Sequence, residues 1–394
     1  EIVGDSDAFQ LTMSDVADAD DTIKEARMGM LHYKQAEEPV TLFYAQSGSS
    51  ENAIYIGGGT GVGNHATSVA IATASTYNST STTTNMKIDN NSRISLSNND
   101  GGTGNTVFGY NAGNQIASGD NYNVFIGHNV ADADMTNATE NIGMGYAALS
   151  ALTEGDSNIT IGYGAGETIT TSSNNILIGS RSGDAITTGA SQTVAIGSNA
   201  CGSLTTGTSN VAIGYNSLTL LTVGASNTAI GYSGLSEEVG GGNSTSVGNG
   251  ALGKSNGGSS ATLMDNTGVG VNSGFYNVTG TKNTYLGSHA GFGATGESNS
   301  DNTGIGYKSL FAITTGTNNV AIGSQAGDAI TDGNSNVAVG YLALSSSVSA
   351  QSNTAIGRSA MQNTTTAHTN VAIGGETMGG ITTATVQDAT AVGY

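Results

Sequence analysis

A short phrase, an apolar residue followed by glycine, recurs at almost constant intervals between residues 109 and 393. The intervals are 17 or 18 residues, except for one of 22 after Gly248 and two of 19 after Gly287 and Gly374. A fixed short period is typical of a chain built as a stack of small, similar units, so we expect an elongated molecule. The repeat glycines are Gly109, Gly127, Gly145, Gly162, Gly179, Gly197, Gly214, Gly231, Gly248, Gly270, Gly287, Gly306, Gly323, Gly340, Gly357, Gly374 and Gly393.

The residues before each repeat glycine follow a strand pattern. With that glycine as position 0, position −1 is large and apolar in every copy, and position −3 is Val, Ile or Thr. Position −2 is Ala, Gly or Ser in twelve of seventeen copies, as in Val211-Ala212-Ile213. This alternation predicts a short β-strand with large residues on one face and small residues on the other. We expect the small face to allow close approach between chains.

Asparagine occupies position −4 in fourteen copies and is expected to open the strand that the glycine closes. We predict that Asn210, Asn319 and Asn336 are structural, and that Asn319 forms hydrogen bonds in a stack with Asn302 and Asn336. A second glycine recurs seven or eight residues upstream of many repeat glycines, as at Gly207. Each coil therefore has two turns and room for two strands. The pattern predicts an all-β solenoid, or β-roll, of about seventeen 17-residue coils.

The thinness of this predicted roll favours assembly of several chains. Each coil contributes only about three large apolar side chains, too few to bury a generous core alone. We therefore expect a parallel homotrimer in which the chains share an axis. Seventeen coils at a strand spacing of about 4.8 Å give a shaft of roughly 80 Å.

The chain is expected to have three parts. Residues 1–30 are an acidic connector or the edge of an upstream region, residues 31–100 a small β domain, and residues 101–394 the repetitive shaft. The strand-like runs in the second part are 40–44, 53–56, 68–72 and 93–96. The start at Glu1 and the stop at a repeat boundary suggest a fragment or a processed product. The sequence has no secretory signal core or membrane span, so we predict no membrane insertion.

Charge and motif content argue against most ligands. A net charge of −20 argues against nucleic-acid binding, because a phosphate-binding face must be basic. Residues 248–255 match the phosphate-binding loop pattern, but Gly248 is a repeat glycine and a glycine turn follows where a helix is required. The single cysteine, Cys201, is expected in the core, and the five histidines have no metal-ligand spacing. We predict no cofactor, no metal and no enzymatic activity.

The phrase Asn-Asn-Val-Ala-Ile-Gly-Ser-Gln-Ala at 318–326 resembles the head repeat of trimeric autotransporter adhesins, with slightly longer coils here. The variant Gly-Tyr-Asn-Ser-Leu at 214–218 resembles fibres of tailed bacteriophages, and parts of residues 30–96 are similar to fibres of marine phages. The resemblance implies a trimeric β-roll on the virion surface. Its partners would be copies of itself, other virion tail proteins, and a host cell-surface glycan or protein. The alternative location is the bacterial cell surface.

Three functions are open from the sequence. We favour a structural virion fibre that extends from a phage tail and supports host attachment. A trimeric bacterial surface adhesin is the first alternative. A tailspike that depolymerises polysaccharide is an alternative of another class, and it needs two carboxylates roughly 5–10 Å apart. The acidic residues of the repeats stand mostly alone, which disfavours the tailspike. Ice binding is a weaker idea, because the threonine columns are interrupted.

Any receptor contact is expected where the repeat departs from its period. Inserted residues must leave the stack as surface loops, and these can vary without harming it. The largest departure adds five residues between Gly248 and Gly270, so we predict possible receptor contacts at Lys254, Asn256 and Asp265. The competing interpretation is that these loops are tolerated decoration.

Overall fold

The computed structural model of the chain describes residues 101–380 and 386–393, together with the backbone of seven strands before residue 101. The chain divides into two units, residues 1–100 and 101–394. The described residues contain β-strands and turns but no helix. Among them, therefore, no helix is long and apolar enough to cross a membrane.

The first unit contains two antiparallel sheets, one of strands β1 to β4 and one of β5 to β7. All four strand-like runs of the sequence overlap strands of these sheets. The predicted division at residue 30 stays a prediction, because most of residues 1–39 lie outside the described residues. The strands are β1 (Gln10–Thr12), β2 (Lys24–Met30), β3 (Val40–Ser47), β4 (Asn52–Ile56), β5 (Ser68–Thr73), β6 (Thr83–Asp89) and β7 (Ile94–Ser95).

The second unit is a parallel β-solenoid, which confirms the predicted all-β solenoid of about seventeen coils. Seventeen three-residue strands stack in chain order, one in each coil. These are β8 (Thr106–Phe108), β9 (Val124–Ile126), β10 (Ile142–Met144), β11 (Ile159–Ile161), β12 (Ile176–Ile178), β13 (Val194–Ile196), β14 (Val211–Ile213), β15 (Thr228–Ile230), β17 (Thr245–Val247), β19 (Thr267–Val269), β20 (Thr284–Leu286), β21 (Thr303–Ile305), β22 (Val320–Ile322), β23 (Val337–Val339), β24 (Thr354–Ile356), β26 (Val371–Ile373) and β28 (Thr390–Val392). Four two-residue strands form two minor pairs, β16 (Gly241–Gly242) with β18 (Thr262–Leu263) and β25 (Ala367–His368) with β27 (Val386–Gln387).

Successive three-residue strands pair so that residues at the same repeat position lie opposite each other, as Ala212 of β14 lies opposite Ala229 of β15. Among the described residues, the second strand for which each coil has room forms at the two minor pairs, and isolated parallel bridges such as Asn334 to Gln351 occur elsewhere. Most of the remaining coil consists of turns, because residues at positions +2 and +4 have positive φ. Asn216 and Leu218, for example, have φ values of 54° and 50°. This left-handed conformation bends the chain and interrupts extended structure.

The interior of each coil is lined by the small residues of the strand, so the expectation that they meet other chains is wrong. Position −2 is buried within its own coil, as at Ala212, and the flanking large residues face outward. Positions +3, +4 and +7 complete the core, for example Ala200, Cys201 and Leu204. Cys201 is thus a core residue as predicted, and its burial raises the pKa of the thiol to about 12.

The narrow interior explains why position −2 is usually small. A larger side chain there is matched by a glycine at position +4. Phe125, for example, packs where Gly113 leaves room, and a Cβ on that glycine would lie 3.2 Å from the Phe125 ring. The Leu177 side chain has the same relationship to Gly183, whose added Cβ would lie 2.9 Å from it. In these coils the glycine makes room for the larger strand side chain, as close packing requires.

The repeat glycines make the closest contact between coils. Gly214 has a φ of 132°, and a Cβ placed on it would clash with the carbonyl oxygen of Gly231 in the next coil. The same relationship recurs from each repeat glycine to the next along the stack, from Gly109 to Gly393. The glycine at this position is therefore required both by backbone conformation and by the stacking distance.

The asparagines at position −4 form a buried hydrogen-bonded ladder along the stack. The backbone and side-chain amides of Asn319 both donate to Oδ1 of Asn302, at 2.9 and 3.0 Å. Asn336 donates in the same way to Asn319, and the Asn319 side chain also donates to the Gly333 carbonyl at 2.7 Å. Asn210 continues the pattern by accepting from the backbone N–H of Asn227. The ladder satisfies polar groups that the solenoid would otherwise bury unpaired.

Candidate functional site

One long apolar surface runs along the outside of the stack. It consists of the side chains at positions −3, −1 and +1, and we call it the apolar strip. Among the described residues, seventeen of the twenty-one exposed large apolar side chains belong to it, so the exposure is concentrated. These seventeen are Phe108, Tyr110, Met144, Tyr146, Ile161, Tyr163, Tyr215, Ile230, Tyr232, Val271, Leu286, Tyr307, Ile322, Tyr341, Ile356, Ile373 and Val392.

The outline of the apolar strip is larger than the apolar patches that soluble monomers normally expose, although position −3 is Thr in eight copies and position +1 is Ser, Asn or Arg in several. Its length is about 80 Å at 4.8 Å per coil, and its width is roughly 13 Å at 3.3 Å per residue. The product is about 1,000 Å², against the 300–600 Å² of the largest patch on a typical monomer. A standard protein interface covers about 800 Å² per partner. The strip is therefore large enough for stable association.

Aromatic side chains form stacks at position +1 along one border of the strip. Tyr146 lies parallel to Tyr163, with ring centroids 5.2 Å apart and planes 9° apart. Tyr215 and Tyr232 are similarly stacked at 5.4 Å. These rings stack along the axis, so they lend rigidity to the border of the strip while keeping their hydroxyl edges at the surface.

The extra residues of the longest coil leave the stack as an exposed segment, residues 258–263. The predicted contact residues surround this segment but are not brought together by their side-chain contacts. Lys254 forms an ion pair with Glu237 of the preceding coil. Asn256 accepts a hydrogen bond from the N–H of Gly258 at 2.9 Å. Asp265 is exposed and accepts from the Asn243 side chain at 3.2 Å.

The second departure from the period lies on the same edge of the solenoid. In the 19-residue coil after Gly287, residues 294–297 are exposed. Backbone hydrogen bonds connect the two irregular coils through the coil between them. The N–H of Asn256 donates to the carbonyl of Val278 at 2.7 Å, and the N–H of Val278 donates to the carbonyl of Glu297 at 3.1 Å. The third departure, after Gly374, includes residues 381–385, which lie outside the described residues.

Sequence reasoning missed a cluster of aromatic rings next to these loops. Phe275, Phe292 and Phe311 all occupy position +5 of successive coils, and Phe292 stacks on Phe311 with centroids 5.3 Å apart. Tyr276 packs edge-on against Phe292, and the Lys308 ammonium lies 5.0 Å from the Phe311 ring. The recurrence of Phe at one repeat position was the available signal. The rings are half-buried, so they support this edge of the shaft and offer little ring face.

The carboxylates bear on the depolymerase alternative. Asp184 lies near Glu167 of the preceding coil and Arg181 of its own coil, and its pKa is raised, chiefly because burial disfavours the charged form. Asp184 is therefore not as isolated as its sequence position suggested. Among the residues that the structure describes, no group of three or more His, Cys, Asp or Glu side chains could hold a metal ion.

The threonines at position +8 are engaged within the shaft. The hydroxyl of Thr170 donates to the carbonyl of Thr187 at 3.1 Å, and Thr222 donates to Val239 at 2.9 Å. Thr314 repeats the contact with Thr331 at 3.0 Å. These hydroxyls are committed to stacking, which weakens the idea of a regular ice-binding face.

Comparison with known proteins finds no match to this chain among protein-family models, curated protein sequences or solved structures. Function must therefore be argued from the chain itself.

Proposed function

We propose that this protein is the shaft of a bacteriophage tail fibre, a structural protein that extends from the virion and supports attachment to the host. One observation carries the proposal: an unbroken stack of seventeen coils carries a continuous apolar strip along its outer face. Such a surface suits an elongated element that associates side by side. The resemblance of the repeats to phage fibres supplies the virion context.

We propose that the strip is covered by two further copies of the chain in a parallel homotrimer. Parallel copies bring equivalent strips together along their full length, and each chain then buries an area typical of stable interfaces. The outward direction of residues such as Ile322 and Ile356 gives this trimer a different basis from the small-residue contact first expected. Other virion tail proteins would join the ends of the shaft.

Contact with a host-surface glycan or protein is proposed for the edge where the period breaks, around residues 258–263 and 294–297. Both segments are exposed, and only Thr262–Leu263 of the first is paired in a strand, with β16. Lys254 and Asn256 border the first segment. Asp265 follows the segment at a regular position before the ladder residue Asn266, so it is the least specialised of the three predicted contacts.

Electron microscopy of the source particle tests the location. Antibodies raised against residues 101–394 should label fibres on the virion tail. Labelling of bacterial cell surfaces instead, with unlabelled virions, would establish the alternative of a trimeric surface adhesin. The depolymerase alternative predicts shortening of host polysaccharide by the purified fibre, abolished in Asp184→Asn and Glu167→Gln.

A further inference from the structure

The core of the solenoid contains a carboxylate in the coil that precedes the 22-residue interval. Position +7 is an apolar core residue in the three preceding coils, where it is Ile186, Leu204 and Leu221, but it is Glu238 in the coil that begins at Gly231. The Glu238 side chain is fully buried. A buried charge costs several kcal/mol in desolvation, and an apolar replacement is often neutral or stabilising. Stacking alone therefore favours Leu at this position.

The Glu238 carboxylate is instead held by the beginning of the extra segment. Its Oε1 accepts hydrogen bonds from the N–H groups of Gly241 at 2.6 Å and Gly257 at 2.7 Å. Its Oε2 accepts from the Ser255 hydroxyl at 3.0 Å. In the part of the chain that the structure describes, no cation forms an ion pair with Glu238. Hydrogen bonds to the extra segment and the adjacent turn thus compensate the buried charge.

Glycines let the chain close tightly around this carboxylate. A Cβ on Gly241 would lie 2.5 Å from the Glu238 Oε1, and a Cβ on Gly257 would lie 2.7 Å from the Gly241 Cα. The far end of the segment is fixed as well, because Met264 is buried and its N–H donates to the Gly242 carbonyl at 3.0 Å. Residues 258–263 are thus exposed but anchored at both ends.

We propose that Glu238 is a positioning residue that holds residues 258–263 in one conformation for contact with the host surface. This inference rests on the proposed attachment function. A loop that is only tolerated decoration gains nothing from a buried charge, whereas a preformed loop avoids the entropy cost of ordering when it binds. Glu238 therefore favours the recognition interpretation of this loop over the decorative one.

The positioning role is tested with Glu238→Leu in the full-length fibre, since Leu is the residue found at position +7 in neighbouring coils. Because Glu238→Leu leaves the N–H groups of Gly241 and Gly257 and the Ser255 hydroxyl without their acceptor, we expect a lower melting temperature and at least about tenfold faster hydrogen exchange at the amides of residues 257–263. Glu238→Gln should retain most of the protection, because its Oε1 still accepts from Gly241 and Gly257. The matched control is Glu237→Gln, which alters the adjacent, half-exposed carboxylate and should leave exchange unchanged.

The binding role is tested by adsorption of the same fibres to cells on which the parent virus grows. We expect Glu238→Leu, and a variant lacking residues 258–262, to lose at least about tenfold in adsorption, and Glu238→Gln to keep it. If Glu238→Leu fails to fold, Gly257→Ala serves in its place, since it displaces the loop and keeps the charge.

The outcomes separate the two claims. Unchanged exchange in Glu238→Leu or its substitute overturns the positioning role. Faster exchange with undiminished adsorption overturns the recognition role of the loop, and labelling of virion tails in the microscope would still uphold the fibre itself.

Discussion

The side-chain amide of Asn319 donates to Oδ1 of Asn302 one coil earlier, and its own Oδ1 accepts from Asn336 one coil later. Asn319→Leu would leave the Gly333 carbonyl and two donors of Asn336 without these partners in the interior. We expect a loss of at least about 2 kcal/mol in the free energy of unfolding, measured by chemical denaturation. The exposed neighbour Asn318 provides the control, because Asn318→Ser should change stability by less than about 0.5 kcal/mol. Equal stability of both variants would contradict a structural ladder.

The ladder is interrupted at Thr193, whose buried Oγ1 has no hydrogen-bond partner. Thr193→Asn would place a carboxamide between Asn175 and Asn210 and restore the repeat. We expect a gain of about 1–2 kcal/mol in unfolding free energy, seen as a higher denaturation midpoint. Thr193→Ser keeps a hydroxyl and should give no gain. A destabilised Thr193→Asn variant would show that the interior at this coil has no room for the ladder residue.

A methyl group is not tolerated at the repeat glycines. Gly214→Ala combines a φ of 132° with a clash against the carbonyl oxygen of Gly231. The expected loss is at least about 2 kcal/mol, measured as a lower unfolding free energy. Gly189→Ala is the matched control, because a Cβ there meets its nearest neighbour at an ordinary 3.7 Å. If both alanine variants melt alike, stacking distance does not explain the glycine column.

Association through the apolar strip is sensitive to charge. Ile322→Glu combined with Ile356→Glu places two carboxylates on the strip but leaves the interior of the coils unchanged. Light scattering should give the mass of three chains for the parent and a lower mass for this variant, since buried unpaired charges are strongly unfavourable. The control pair, Asn318→Glu with Ser335→Glu, adds the same charge at exposed positions outside the strip. A monomeric parent, or a trimeric strip variant, would refute the proposed interface.

Two aspartates should respond to pH in opposite directions. Burial raises the pKa of Asp328, whose Oδ1 lacks a hydrogen-bond partner. The folded state therefore holds this proton more tightly than the unfolded state, and the side chain's contribution to stability falls as the pH rises through the raised pKa. Asp328→Asn should melt higher than the parent at pH 7, and the difference should vanish below the ordinary pKa of 3.8.

Asp332 is the internal comparison, because a hydrogen bond from Ser349 lowers its pKa. Its contribution is present above the ordinary pKa of 3.8 and is lost as the pH falls through the lowered value. Asp332→Asn should therefore melt lower than the parent at pH 7 and match it only in strong acid. Melting curves from pH 2 to 8 check both variants, and shifts of the same sign at pH 7 would contradict these assignments.

The repeat positions were predictable because stacking gives equivalent residues the same surroundings. Gly214 and Asn319 could be identified from their columns for that reason. The direction of the strand faces could not, since alternation is symmetric and only the width of the coil decides which face is inside. Leu218 shows the same limit, because a branched side chain with positive φ carries no local signal in the sequence.

The sequence predicted where the exposed segment 258–263 lies, but not which contacts hold it. The 22-residue interval located the exposed segment near Lys254. The role of Glu238 depends on contacts with Gly257, nineteen residues away and in the next coil, which no local pattern reveals. The aromatic cluster at Phe292, by contrast, had a signal in the sequence, because Phe recurs at position +5 of three successive coils.

Each long strand pairs only with the strand one coil before and one coil after it. A coil removed between two others leaves neighbours that present the same donors, acceptors and glycine contacts to each other. Duplication or deletion of one 17-residue unit therefore changes the reach of the molecule by a fixed step of about 4.8 Å and leaves every other coil unaltered. The number of repeats in the gene therefore sets the length of the shaft, and that length can change without altering the segments at its two ends.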